Sequence, residues 1–201
     1  MAALTGVVFV VLLVVSFIVS GETPEADASS QEIISFYSEN EAEITVSSIL
    51  FGLGAVFFLF FNGTLRSVLR SAEGGTGTLS AVVYAGGVVA TVGMLIFAGL
   101  GFTLGDTAGE LEPAAAQALN ALSSDFFLPL AGGIATFLFA AGLVTIRTGA
   151  LPRWLGWVAI VLAIVEFSPI GFFVFLATLL WVLVVSILLV LGGEKAPAEM
   201  A

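Results

Sequence analysis

The sequence predicts an all-α fold: one polytopic bundle of six transmembrane helices, with a short surface helix in each of two long outer loops. Three observations carry that expectation. Hydrophobic residues make up 59% of the 201-residue chain and charged residues 10%, against about 45–50% and 25% in soluble domains. Apolar runs of membrane-crossing length recur along nearly the whole chain, which leaves no room for a separate soluble domain. The basic residues fall only in alternate loops.

The first apolar run is residues 4–20, LTGVVFVVLLVVSFIVS. Val19 and Gly21, or Ala26 and Ala28, would suit a signal peptidase, but no Lys or Arg precedes the run, so it reads as a retained helix. The second span covers 46–64, the third 79–103 and the fourth 126–146. In the loop between the first two, Ser29 and Glu32 form a capping-box pattern that places Ile33, Ile34 and Tyr37 on one helical face. In the loop between the third and fourth, Glu112-Pro113 opens AAAQALNAL, with Leu119 and Leu122 three apart. Both segments read as surface helices that cover the bundle. The 38 residues from Trp154 to Leu191 are too long for one span, since they would reach about 57 Å against a hydrocarbon core of about 30 Å. Ser168-Pro169-Ile170-Gly171 is the break: proline lacks a backbone donor and glycine permits a turn, giving a fifth span at 154–168 and a sixth at 171–191.

Six spans put both termini on one side, and Arg66, Arg70, Arg147, Arg153 and Lys195 then all lie there. The opposite side carries the carboxylates from Glu22 to Glu43 in the first loop, and Asp106, Glu110, Glu112 and Asp125 in the second. By the positive-inside rule this is a multi-pass protein of the cell membrane with cytoplasmic N and C termini. Trp154 and Trp157 fit an inner interfacial belt. The four arginines are topology signals and candidate contacts for anionic lipid headgroups. Fifteen Asp and Glu against five Lys and Arg speak against nucleic-acid binding. With no Cys and no His, the chain has no disulfide, thiolate nucleophile or imidazole base, and it lacks the usual zinc, copper and haem ligands. No cofactor or metal is expected. The alternating Glu39, Glu41 and Glu43 lack calcium-loop spacing and read as a solvated face.

FLFFNG at 58–63 matches FLFAAG at 137–142 in four of six positions, each near the inner end of its span. The match reads either as two parallel copies of one hairpin or as chance in Phe- and Gly-rich sequence. TGALPRWLGW at 148–157, together with GETPEADAS, RSAEGG, ALNALSSDFFLPLAGG and LLWVLVVSILL, resembles a group of uncharacterised actinobacterial-type integral membrane proteins. That resemblance covers most of the chain. It implies a six-span bundle with a retained first helix, and it supplies no catalytic residue.

Small residues at helical spacing mark packing seams, because they let helix backbones approach closely in a bilayer. Gly86, Ala90 and Gly93 form one such seam, Gly132, Thr136 and Ala140 another, and Gly156, Ala159 and Ala163 a third that continues to Glu166. Glu166 is the candidate ionisable site, placed by that spacing on the packed face. Its depth has two estimates. Thirteen residues from Arg153 rise about 20 Å, some 10 Å short of the outer boundary, whereas counting back from the sixth span puts it one turn below the outer surface. The second is preferred, because a turn needs water or protein partners for its backbone groups. Glu166 then reads as a carboxylate reaching water, or alternatively as a proton- or cation-responsive group, with only neutral partners at hand: Ser16, Ser47, Ser48, Thr103 or Ser168. Asn62 and Gly63 are read as a polar break that ends the second helix, with a bond across helices as the other option.

No paired inward carboxylates, zinc motif or Ser-Lys arrangement is present, so an enzyme is not expected. The sequence points to a non-catalytic protein that binds or organises a membrane partner, a second copy, another protein or a lipid. The alternative is a small-solute or ion transporter or channel subunit with an outward cavity at Glu166, although Thr91 is nearly the only polar group near the midplane.

Overall fold

A computed structural model describes residues 4–125 and 127–195. Among these residues the regular elements are α1 (Thr5–Ser20), α2 (Ser30–Glu39), α3 (Glu41–Glu73), α4 (Thr78–Thr107), α5 (Pro113–Asp125), α6 (Phe127–Thr148), α7 (Arg153–Val165) and α8 (Gly171–Lys195), with one 3-10 turn at Ala108–Glu110. Phe126, the first residue expected in the fourth span, lies outside the described residues. Four of these helices, α3, α4, α6 and α8, belong to stretches long and apolar enough to cross a membrane, and α1 and α7 are shorter apolar helices of 16 and 13 residues. These helices fit a multi-pass membrane bundle. Exposed apolar side chains on them, Phe60, Ile164 and Leu180 among others, suit a hydrocarbon surround.

Close approaches fix the direction of every helix. Ser16 on α1 donates to the Ser47 carbonyl of α3 at 2.8 Å, while Gly6 at the other end of α1 lies against Phe61. Gly105 and Gly87 on α4 lie against Ile44 and Asn62 of α3, and Gly93 and Gly86 lie against Leu130 and Phe137 of α6. Gly142 of α6 meets Gly156 of α7 backbone to backbone. The Trp181 indole of α8 donates to the Leu155 carbonyl of α7 at 3.0 Å, and Phe172 at the start of α8 packs on Phe17 near the end of α1. Successive long helices therefore alternate in direction. Arg66, Arg70, Arg147 and Arg153 gather at one end, and α2 and α5 at the other. A row of aromatic rings, one each from α1, α3, α6 and α8, crosses the bundle: centroids of Phe9 and Phe58 are 5.0 Å apart, Phe58 and Phe137 5.4 Å, and Phe137 and Trp181 5.9 Å.

Two sequence expectations need correction. Asn62 and Gly63 do not end a helix: α3 runs unbroken for 33 residues to Glu73. Asn62 is fully buried and its amide donates to the Tyr84 carbonyl of α4 at 3.0 Å, across a gap left open by Gly87. The amide N–H finds an acceptor on the neighbouring helix while Oδ1 stays buried without a partner, and an Asn bonded across helices leaves the α3 backbone ladder intact. On α6, the packed face is Leu130, Gly133 and Phe137 with Ala140, whereas Gly132 has no neighbour near its Cα and Thr136 is exposed. Adjacent helical positions are about 100° apart, so choosing Gly132 over Gly133 turns the seam away from α4. Gly86, Ala90 and Gly93 do pack, against α6.

Both expected surface helices form, and together they build a cap. The Ser29 hydroxyl accepts the Glu32 N–H at 3.3 Å at the start of α2, and Pro113 opens α5. Ile33 and Tyr37 of α2, Ile44 of α3, Leu104 and Ala108, and Ala116 of α5 make a second hydrophobic core outside the bundle proper. The Tyr37 hydroxyl donates to Asn120 Oδ1 at 3.2 Å, and Asn120 Nδ2 donates to the Glu25 carbonyl at 2.8 Å. Asn120 is 1% exposed, so one amide pins the two outer loops together. Desolvation pushes the Tyr37 phenol up from 10.0 to about 12. A group whose folded value is raised contributes stability below its unfolded value and loses it as pH rises. Cap stability should therefore be full below pH 10 and fall toward pH 12, and a spectrophotometric titration should show one tyrosine ionising near 12. Asn120→Ala should lower that midpoint by opening the cap.

Candidate functional site

Beneath the cap, at the end of the bundle remote from the arginines, lie two adjoining cavities of about 730 and 980 Å³. They share Phe17, Phe51, Phe97, Phe172, Ser123 and Ser124 as walls. The four phenylalanines come from α1, α3, α4 and α8, and their rings touch in sequence. Centroids are 5.9 Å apart for Phe17 and Phe51, 5.2 Å for Phe51 and Phe97, and 6.0 Å for Phe17 and Phe172. They form an aromatic collar between two chambers of different character. The inner chamber continues onto Phe127, Leu130 and Phe175 and is mainly apolar, with Ser168 and the exposed Asp125 also on its wall. The outer chamber is walled by hydroxyls, including Ser16, Ser47, Ser48 and Tyr37, and Glu22 and Glu25 stand exposed at its mouth. Each lies within the size range of small-molecule sites, about 300–1,000 Å³, and the pattern of apolar walls with a few polar groups is the usual one.

Several wall hydroxyls have their protons committed. Ser16 donates to the Ser47 carbonyl at 2.8 Å, Ser47 to the Ile44 carbonyl at 2.9 Å, and Ser124 to the Asn120 carbonyl at 3.0 Å. What such a hydroxyl still offers a ligand is its oxygen lone pairs.

Glu166 lies just past α7, in the turn before α8, where its N–H bonds the Leu162 carbonyl at 3.0 Å. Gly156, Ala159 and Ala163 of the same face are all buried, so the expected inward orientation holds. The expected water contact does not: Glu166 is 0% exposed, and neither carboxyl oxygen has a hydrogen-bond partner. In the same turn Gly171 lies against the Glu166 carbonyl and the Phe127 ring at the start of α6. Ser16 and Ser47 are engaged as above, and Thr103 donates to the Gly99 carbonyl at 2.9 Å. Ser168 sits in the same turn, and its hydroxyl is also buried without a partner. Ser168, Pro169 and Gly171 line the inner chamber, whereas Glu166 stands behind that wall.

The arginines take no part in this site. All four are exposed at the far end, where the Arg66 guanidinium lies 5.4 Å from the Tyr84 ring centroid and Arg70 donates to the Gly74 carbonyl at 3.1 Å. Glu73, which sequence reading passed over, accepts the N–H groups of Leu79 and Ser80 at 2.9 Å each and so caps the start of α4. Among the described residues no group of three acidic side chains comes together as a metal site. Sequence reading also missed the collar. Its signal was nevertheless present, since Phe17, Phe51, Phe97 and Phe172 each fall within about three turns of the capped end of their helix. No family model, curated protein or solved structure matches the chain.

Proposed function

We propose that this is a non-catalytic, six-span protein of the cell membrane, with cytoplasmic termini, that binds a lipid-like partner in the chambers under its outer cap. The observation that carries the reading is the aromatic collar joining an apolar chamber to a hydroxyl-lined one. That pairing matches the two ends of an amphiphile. A lipid-like partner is favoured over a protein because the strongest small-residue seams are already used inside the bundle, Gly86 and Gly93 against α6 and Gly142 against Gly156. Transport has less support, since Glu166 is sealed behind the chamber wall and the row of aromatic rings lies across the path toward the arginine end.

Ser123 borders both chambers from α5, at the rim of the bundle. Ser123→Trp should fill the collar without touching the helix seams. Mass spectrometry of the purified wild-type protein should find a bound amphiphile that the variant lacks while its melting temperature stays unchanged. Equal retention of every copurifying lipid by both proteins would refute the reading.

A further inference from the structure

The geometry points to a specific head group: the chambers accept a single-chain amphiphile that carries an ammonium group, with its tail in the inner chamber and its cation in the outer one. This rests on the amphiphile reading above and adds the sign of charge. Three independent features agree. The first is the mouth, where Glu22 and Glu25 stand beside the outer chamber while Arg66, Arg70, Arg147 and Arg153 all lie at the opposite end of the bundle. A phosphate or sulfate head would meet carboxylates there with no guanidinium to offset them, and like charges repel.

The second feature is the hydroxyl wall. Ser16, Ser47 and Ser124 line the chamber and direct their protons to backbone carbonyls, so what each has left to offer is its oxygen lone pairs, as an acceptor. An ammonium group is all donor or all positive charge and is served by acceptors, whereas an anionic head needs donors. The third is the collar itself. Aromatic rings attract a cation through their quadrupole, and the four phenylalanines stand where a head group must pass or rest. The inner chamber, about 730 Å³, is of a size for one hydrocarbon chain along Phe127, Leu130 and Phe175, and its one charged wall residue, the exposed Asp125, is again a carboxylate.

The test uses the full chain in nanodiscs of a neutral glycolipid, with empty nanodiscs as the partitioning blank. Dodecyltrimethylammonium, dodecanol and dodecyl sulfate share one tail and differ in head charge. Their saturable binding is measured by calorimetry below micellar concentrations. Dodecyltrimethylammonium should bind about ten times more tightly than dodecanol, the ratio expected when two exposed carboxylates each contribute modestly, and dodecyl sulfate should bind most weakly. The double substitution Glu22→Gln with Glu25→Gln should remove most of that preference, with dodecanol binding and the melting temperature unchanged. Dodecyl sulfate binding as well as the ammonium probe, or a preference that survives the double substitution, would overturn the charge assignment. In that case Ser123→Trp would still abolish binding of all three, and the amphiphile reading would stand. Absence of saturable binding by all three probes would sink both.

Discussion

Glu166→Met should raise the stability of the folded bundle by about 1–3 kcal/mol, the usual cost of a buried polar group left without its hydrogen bonds. The carboxyl is 0% exposed and both oxygens lack partners, so folding removes its hydrogen bonds to water and returns none. Methionine has a comparable length, is flexible enough to fit the same space, and brings no polar atom to satisfy. Glu166→Gln keeps two unpartnered polar atoms and should change stability little. Glu166→Lys places an ammonium at a fully buried position and should abolish folding. Thermal unfolding of the four proteins in one detergent checks the order. A loss of stability in the methionine variant would show that the carboxyl holds a partner, such as an ion or an ordered water, and would return Glu166 to the functional site.

The second large effect separates two neighbouring glycines. In Gly133→Ala the added methyl would lie 2.7 Å from the Ala90 Cα and 2.9 Å from the Val89 carbonyl carbon. These are backbone atoms that cannot rotate aside, so α4 and α6 must separate, and overpacking of this kind costs about 1–3 kcal/mol. In Gly132→Ala the methyl meets nothing within 4 Å, and alanine's higher helix propensity should make the change neutral or stabilising by up to about 1 kcal/mol. A melting temperature that falls for Gly133→Ala and not for Gly132→Ala confirms which face α6 turns inward. The reverse order would place the seam at Gly132, Thr136 and Ala140 after all.

The covalent peculiarities of proline and glycine made the Ser168–Gly171 turn legible, because a missing N–H and a missing Cβ act locally whatever packs around them. The two surface helices were legible for the same reason, through Ser29 and Pro113 at their starts. Three features depended on partners instead. Asn62 looked like a break until α4 supplied the Tyr84 carbonyl. The length of α3 exceeded its apolar stretch at both ends, where single apolar residues in polar sequence find partners: Ile44 in the cap, Leu65 and Leu69 in the bundle core. The inward face of α6 was missed because small residues occur on several of its faces, and only the helix opposite selects one. Glu166 was legible in orientation but not in exposure, since a spacing argument fixes direction and says nothing of what lies over the turn. The collar demanded comparing four helices at one depth, which no single window along the chain does.

The bond from Tyr37 to Asn120 joins residues 83 apart in the chain. During synthesis, α2 and the first outer loop emerge long before α5 has crossed the bilayer, so the cap has only half its parts until the second hairpin is inserted. The chamber is thus a late product of assembly, complete only once both capping helices are in place. Chains arrested before residue 113 would present Ile33 and Leu104 uncovered, as ready targets for membrane quality control. The bond between Tyr37 and Asn120 is thus made only in a chain that has folded both loops.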